Sequence, residues 1–211
     1  ENGKNVYCEK PLSLSASQSA ELAKLAKEKG VINYVGYNNV MNPANAYVKD
    51  LIESGALGKI MRFVGSYDQD QLLDESLPLV WRHKKALAGA GALGDLGCHL
   101  MSISQYLMGD VKNVNALAST VFPKRPVAPG STEMGDVENE DIMQFMAEYA
   151  NGAIGQISCS WPPAARTTCA TKFRAPRARC ATIWSAWARC RFTSKAIMSA
   201  TAASAPCCST R

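Results

Sequence analysis

Acidic residues are absent from the end of this chain: all 18 Asp and Glu of its 211 residues lie at or before Glu148. From Pro162 to Arg211 there are nine Lys or Arg and no carboxylate, while residues 1–161 carry 14 basic groups and a net charge of −4. The chain is thus compositionally two objects, and its formal +5 describes neither. No Cys-x-x-Cys pair occurs among the eight cysteines, so neither a zinc site nor a thioredoxin-type motif is supported. Only Cys8, Cys98 and Cys159 precede residue 162, a scatter that suits a reducing cytoplasm. No apolar run reaches membrane-span length and no charged-then-apolar leader is present, so no membrane partner is expected. The chain opens on Glu1-Asn2-Gly3-Lys4, a turn leading into a strand as in the middle of a fold, and a preceding segment is expected.

What is present has enough apolar content, 47%, for a real core in one or two domains. Ser15 and Gln18 form a capping box, Leu22, Leu25 and Ala26 an apolar stripe, and Gly30 a C-cap, predicting a helix over Ser15–Gly30. Val31–Tyr37 reads as a strand, so strand, helix and strand make a βαβ unit of a parallel sheet. Pro43 opens a second helix to Ser54, closed by Gly55, and Ile60–Tyr67 is a further strand. Asp68–Ala90 reads as a loop over a pocket, Leu93–Met108 as a helix ended by Gly109, and Val111–Phe122 as a strand. Pro123–Val137 reads as a long loop. Ile142–Tyr149 and Ala153–Trp161 form a hairpin around Asn151-Gly152. Keeping its faces unmixed favours a three-residue loop, with Phe145 opposite Cys159 and Ala147 opposite Ile157. The fold class is α/β: the end of a parallel-sheet domain, then a β-rich second domain.

Two motifs carry chemistry. Gly94-Asp95-Leu96-Gly97-Cys98-His99 sets a carboxylate and an imidazole four residues apart, on one face of a helix. An Asp beside a His can orient the ring and raise its basicity, and a near-neutral His is the usual acceptor of a hydroxyl proton. The plainer reading makes Asp95 a helix cap and His99 a buried polar residue. Glu9-Lys10-Pro11 follows a strand and precedes a helix, at the carboxyl edge where α/β sheets bind ligands. A Lys there can hold a substrate oxygen; a lone one is more often a solvated loop lysine.

Together with Asn42-Pro43-Ala44 and Trp81-Arg82, in this order, these motifs resemble the Gfo/Idh/MocA oxidoreductase family over residues 3 to 161. The resemblance implies a sugar or polyol dehydrogenase using NAD or NADP. Residues 1–40 would be the remnant of a Rossmann domain, and 41–161 an incomplete α+β substrate domain with an open, mostly antiparallel sheet. It implies Lys10, Asp95 and His99 as catalytic residues. Lys10 would lie beside nicotinamide and substrate, Pro11 in a cis bond, Asp95 and His99 on the substrate hydroxyls. Glu9, Lys10, Pro11 and Arg82 are the candidate cofactor contacts, and Asn38 joins Lys10, Asp95 and His99 as a candidate substrate contact. For Glu9 and Arg82 a loop salt bridge is an equal reading, and for Asn38 and Asn39 a turn role. Trp81 reads as a packing residue, His83 as a solvated loop histidine, and Met101, Met108, Met143 and Met146 as core. No metal ligands are expected. Copies of the family pair through the outer face of the open sheet, so a homo-oligomer is implied.

Two features depart from the family pattern. No G-x-G-x-x-G loop follows a strand within residues 1–40, which removes the pyrophosphate cradle and the basis for choosing NAD or NADP, and the chain alone is expected to be inactive. Residues 162–211 lack periodicity and are rich in Ala, Arg, Ser, Thr, Cys and Pro, as GC-rich DNA reads in a wrong frame. The neighbouring frame permits, from Lys172 onward, a string with acids, a Gly-rich turn and strand-like runs. Residues 162–211 are therefore expected to be an out-of-frame tail, disordered or poorly packed, leaving strand edges exposed. Two other readings stand beside the dehydrogenase: a non-catalytic sugar- or partner-binding homologue, and a nucleic-acid binder acting through the +9 tail.

Overall fold

The computed structural model describes residues 2–70, 72, 74–161, 168–175, 178–183 and 189–192. At its N-terminal end β1 (Val6–Cys8) and β2 (Asn33–Val35) pair in parallel, joined through α1 (Ala16–Lys29), as the βαβ reading requires. Ser15 Oγ accepts from the Gln18 amide at 3.3 Å, and Gly30, at φ 60°, supplies the left-handed residue that ends α1. The helix buries nothing, however: Leu22 and Leu25 are 44% and 46% exposed. A two-stranded sheet is too narrow to cover the stripe, which instead lines an open apolar groove with Val6 and Val35.

The Asn42 side chain accepts from the Ala44 amide at 2.9 Å and Pro43 occupies the first turn of α2 (Pro43–Glu53). β3 (Arg62–Asp68) follows. The stretch expected to be a loop then holds a 3-10 turn at Trp81–His83 and a short helix, α3 (Lys85–Ala88). The next helix opens with a π-helical turn, Leu93–Gly97, and continues as α4 (Cys98–Met108). The region Lys85–Met108 is long and apolar enough to cross a membrane by composition, more than the sequence reading allowed. Its apolar side instead meets the sheet, with Leu96, Leu100, Ile103 and Leu107 in the core.

β4 (Val111–Ser119) is followed by a small hairpin, β5 (Lys124–Pro126) and β6 (Met134–Asp136), where a loop was expected. Arg125 explains it: fully buried, its guanidinium donates to the carbonyls of Leu72, Asp74 and Leu77 and anchors β5. β7 (Ile142–Tyr149), β8 (Ile154–Ser160), β9 (Thr168–Ala175), β10 (Ala178–Ile183) and β11 (Arg189–Phe192) complete a mixed seven-stranded sheet. Its order is β11-β10-β9-β3-β8-β7-β4, parallel only at β3–β8. The β7–β8 loop has three residues, as expected, closed by Tyr149 N to Ala153 O at 3.0 Å. The register differs from the expected one by two residues: Phe145 faces Ile157 and Ala147 faces Gly155. Both side chains remain on the core face because the shift is even.

The tail also departs from expectation. β9 pairs along the whole of β3, and its alternate residues Thr171 and Phe173 are buried, so this stretch is packed and β3 is not an edge. Residues 193–211 lie outside the described residues.

Candidate active site

Lys10 stands where β1 ends, before a cis bond to Pro11. Its ammonium reaches across to the π-helical turn and donates to the Asp95 carbonyl at 2.7 Å and to Asp95 Oδ1 at 2.9 Å. The turn is held from two sides. The Cys98 amide reaches back to the Leu93 carbonyl, five residues away. Glu140 Oε1 accepts from the amides of Gly91 and Leu93, each at 2.9 Å. Such turns recur at functional sites, and here it carries the carboxylate to the end of β1.

Asp95 Oδ2 accepts from the indole Nε1 of Trp161 at 3.3 Å and lies 3.4 Å from Arg82 Nε. Burial alone would raise the Asp95 carboxyl. The Lys10 hydrogen bond and charge, then Arg82 and Trp161, outweigh it and hold the group below the ordinary carboxylate range.

His99 lies one turn on, between two aromatic rings. Tyr37 meets it edge-on at 6.2 Å and Tyr67 at a tilt at 6.1 Å. Burial, then the Lys10 charge, push its pKa down to about 4 against the opposing pull of Asp95 and Glu9. The ring is therefore neutral at physiological pH. Its Nδ1 is buried and meets no hydrogen-bond partner among the described residues. Asp95 supports His99 through its charge, which raises the imidazole pKa as expected, but no hydrogen bond joins the two among the described residues. Both carboxylate oxygens face Lys10, Arg82 and Trp161, and rings position the imidazole instead.

The other expected positions divide. Arg82 joins the cluster while its guanidinium lies 4.6 Å over the Trp81 ring. That ring is 54% exposed, so Trp81 is a surface platform and not a packing residue. Glu9 is exposed at the strand end and acts on the charge state of His99. Asn38 is exposed too; it accepts from the Tyr7 hydroxyl at 3.4 Å, and its neighbour Tyr37 is the residue that meets His99. Asn39 serves the turn, its carbonyl taking a bond from Asn45. His83, expected in solvent, is fully buried: Nδ1 accepts from the Val80 amide at 3.0 Å and the ring packs on Trp161. Met108 is core and Met101 and Met143 border it, but Met146 is 59% exposed. Among the described residues no cluster of ligating side chains could hold a metal. A cavity of about 670 Å³ with no charged lining adjoins the site at Pro11, Tyr37, Gly94 and Cys98. Sequence reasoning missed Trp161, Tyr37, Tyr67 and Glu140. Each acts across the fold, and a polar or aromatic residue at a strand end was the only local sign.

The profile of the Gfo/Idh/MocA C-terminal domain matches residues 45–179, past the limit of 161 read from the motifs. That of the oxidoreductase family's NAD-binding Rossmann fold matches residues 1–37. The chain is 37% identical over 171 residues to levoglucosan dehydrogenase of Pseudarthrobacter phenanthrenivorans, covering 76% of this chain and 44% of that protein. It is 30% identical over 161 residues to scyllo-inositol 2-dehydrogenase (NAD(+)) of Bacillus subtilis, covering 76% and 42%. Among solved structures, levoglucosan dehydrogenase in complex with NADH and L-sorbose superposes with a TM-score of 0.83 at 34% identity, over 86% of this chain and 48% of that one. The chain thus spans less than half the length of these relatives. With a profile match over most of its length and the Lys10–Asp95–His99 cluster assembled, the chain belongs to the Gfo/Idh/MocA family of oxidoreductases.

Proposed function

We propose that this chain carries the reacting end of an NAD(P)-dependent oxidoreductase, which moves a hydride between a secondary alcohol of a sugar or polyol and nicotinamide. The observation that carries the reading is one locus holding an anchored ammonium and a neutral imidazole. Levoglucosan and inositol dehydrogenases among the relatives support the substrate class.

Oxidising an alcohol needs a base at the hydroxyl and a cation for the oxyanion that develops. Nε2 of His99 takes the hydroxyl proton. Lys10 has three ammonium protons, two of them directed at Asp95, and the third donates to the substrate oxygen as charge grows there. The donor set fits the nicotinamide end of a dinucleotide: Lys10 at a parallel-strand carboxyl edge, Glu9 and Pro11 beside it, and a partly exposed Arg82. Bound there, NAD or NADP supplies the hydride acceptor. Residues 1–37, which match the Rossmann profile, contain no G-x-G-x-x-G cradle for the pyrophosphate, so we assign turnover to a protein with a complete dinucleotide site.

The free thiols of Cys8, Cys98 and Cys159 support a cytoplasmic setting. The exposed Leu117, Met146 and Ile154 of the sheet support pairing of copies through that face. The test is nicotinamide reduction with a panel of sugars and polyols, using protein that includes the glycine loop. His99→Ala should lower kcat by about 10²-fold or more. Sugar binding without nicotinamide reduction, unchanged in His99→Ala, would favour the non-catalytic, sugar-binding reading.

A further inference from the structure

Asp95 holds Lys10 with one oxygen, and what fixes the other decides where that ammonium points. Two groups compete for Oδ2. Arg82 is 40% exposed at its side chain and stacks on the exposed Trp81 ring, so water or a ligand can draw it away. Trp161 cannot move in that way. It is 1% exposed, closes β8, and its backbone amide donates to the Asp141 carbonyl at 3.0 Å. Beneath it lies His83, fully buried and perpendicular to the indole at 89°, with ring centroids 6.1 Å apart. Because His83 Nδ1 accepts from Val80, its proton sits on Nε2, which meets no oxygen or nitrogen acceptor among the described residues. The Trp161 ring meets this imidazole in an edge-to-face contact. His83 thus wedges the indole in place, and the indole N–H fixes Oδ2.

We propose that Trp161, backed by His83, is a positioning residue for the hydride-transfer chemistry. Its indole N–H locks Oδ2 of Asp95, so that Oδ1 and the Asp95 carbonyl together orient the Lys10 ammonium with one proton left for the substrate oxygen. This rests on the dehydrogenase reading above for its purpose but not for its geometry. It touches neither substrate nor cofactor, and acts through Asp95.

The experiment is a titration followed by NMR on the full chain and on Trp161→Phe, which keeps an aromatic ring beside His83 and removes the donor together with the pyrrole half of the indole. In the unsubstituted chain the Trp161 Nε1 proton signal should shift with the titration of the Asp95 carboxyl. In Trp161→Phe the Asp95 midpoint should rise by about half a pH unit or more. If the variant does not fold, the indole signal in the unsubstituted chain answers alone. An indole proton that ignores the Asp95 titration, or an Asp95 midpoint unchanged in a folded Trp161→Phe, overturns the proposal. In protein competent for turnover, Trp161→Phe should lower kcat several-fold with KM little changed, which loss of fold would not do selectively. The titration needs no turnover, so an absent hydride transfer with the expected titration sinks only the dehydrogenase reading. Hydride transfer with an unresponsive indole sinks only this one.

Discussion

Asp95 gathers three donors, from Lys10, Arg82 and Trp161, onto one carboxylate. Removing its charge leaves two cations facing each other across a half-closed site. Asp95→Asn should therefore lower the unfolding free energy by about 2 kcal/mol in urea titrations; a loss below about 0.5 kcal/mol would show that solvent already screens these pairs. Cysteines separate at the same scale. Burial, then Glu140 and Asp68, push the Cys159 thiol up to about 12, so it stays protonated and unreactive. Alkylation of the native chain should spare Cys159 and label it only after unfolding; labelling of Cys159 at the rate of an exposed thiol would contradict its burial.

At the scale of elements, the approach to the π-helical turn is set by one glycine. A Cβ on Gly91 would lie 2.0 Å from the Glu140 carbonyl oxygen, a contact between backbones that no side-chain rotation relieves. Gly91→Ala should cost about 3 kcal/mol or more and disturb the Glu140 cap; full native stability would show that the two strands of chain part readily. By contrast Leu22→Ser on α1 should change the stability of this chain by less than about 0.5 kcal/mol, because that face is exposed. This difference marks what the sequence made legible. The caps of α1 and α2, the βαβ order and the β7–β8 loop length depend on neighbours a few residues apart and could be read directly. The β5–β6 hairpin could not, because buried Arg125 bonds to carbonyls some fifty residues away. Nor could the burial of His83, or the Trp161 bond to Asp95 across 66 positions, since neither leaves a local pattern. The packing of β9 was hidden by composition: Thr171 and Phe173 alternate correctly inside an otherwise featureless basic stretch.

For the whole molecule, the site's electrostatics become a dependence of stability on pH. His99 has a folded pKa of about 4 against 6.5 unfolded, so the unfolded chain binds more protons between those values. Stability is fully present above pH 6.5 and falls as pH drops toward 4. Burial lowers His83 likewise, and the depressed Asp95 extends the loss to lower pH with the same sign. After discounting for residual solvent contact, the His99 contribution is about 2 kcal/mol. His99→Asn should flatten the curve over that window by roughly this amount; an unchanged curve would mean that the imidazole titrates as freely in the fold as out of it.

The convergence of Lys10 and His99, 89 positions apart in the chain, is the claim on which the proposed chemistry rests. The His99 titration, followed by NMR in the unsubstituted chain and in Lys10→Met, tests it most directly. A midpoint near 4 that moves upward when the ammonium is removed is the predicted result. A midpoint near 6.5, indifferent to Lys10, would place the two groups apart and contradict the account.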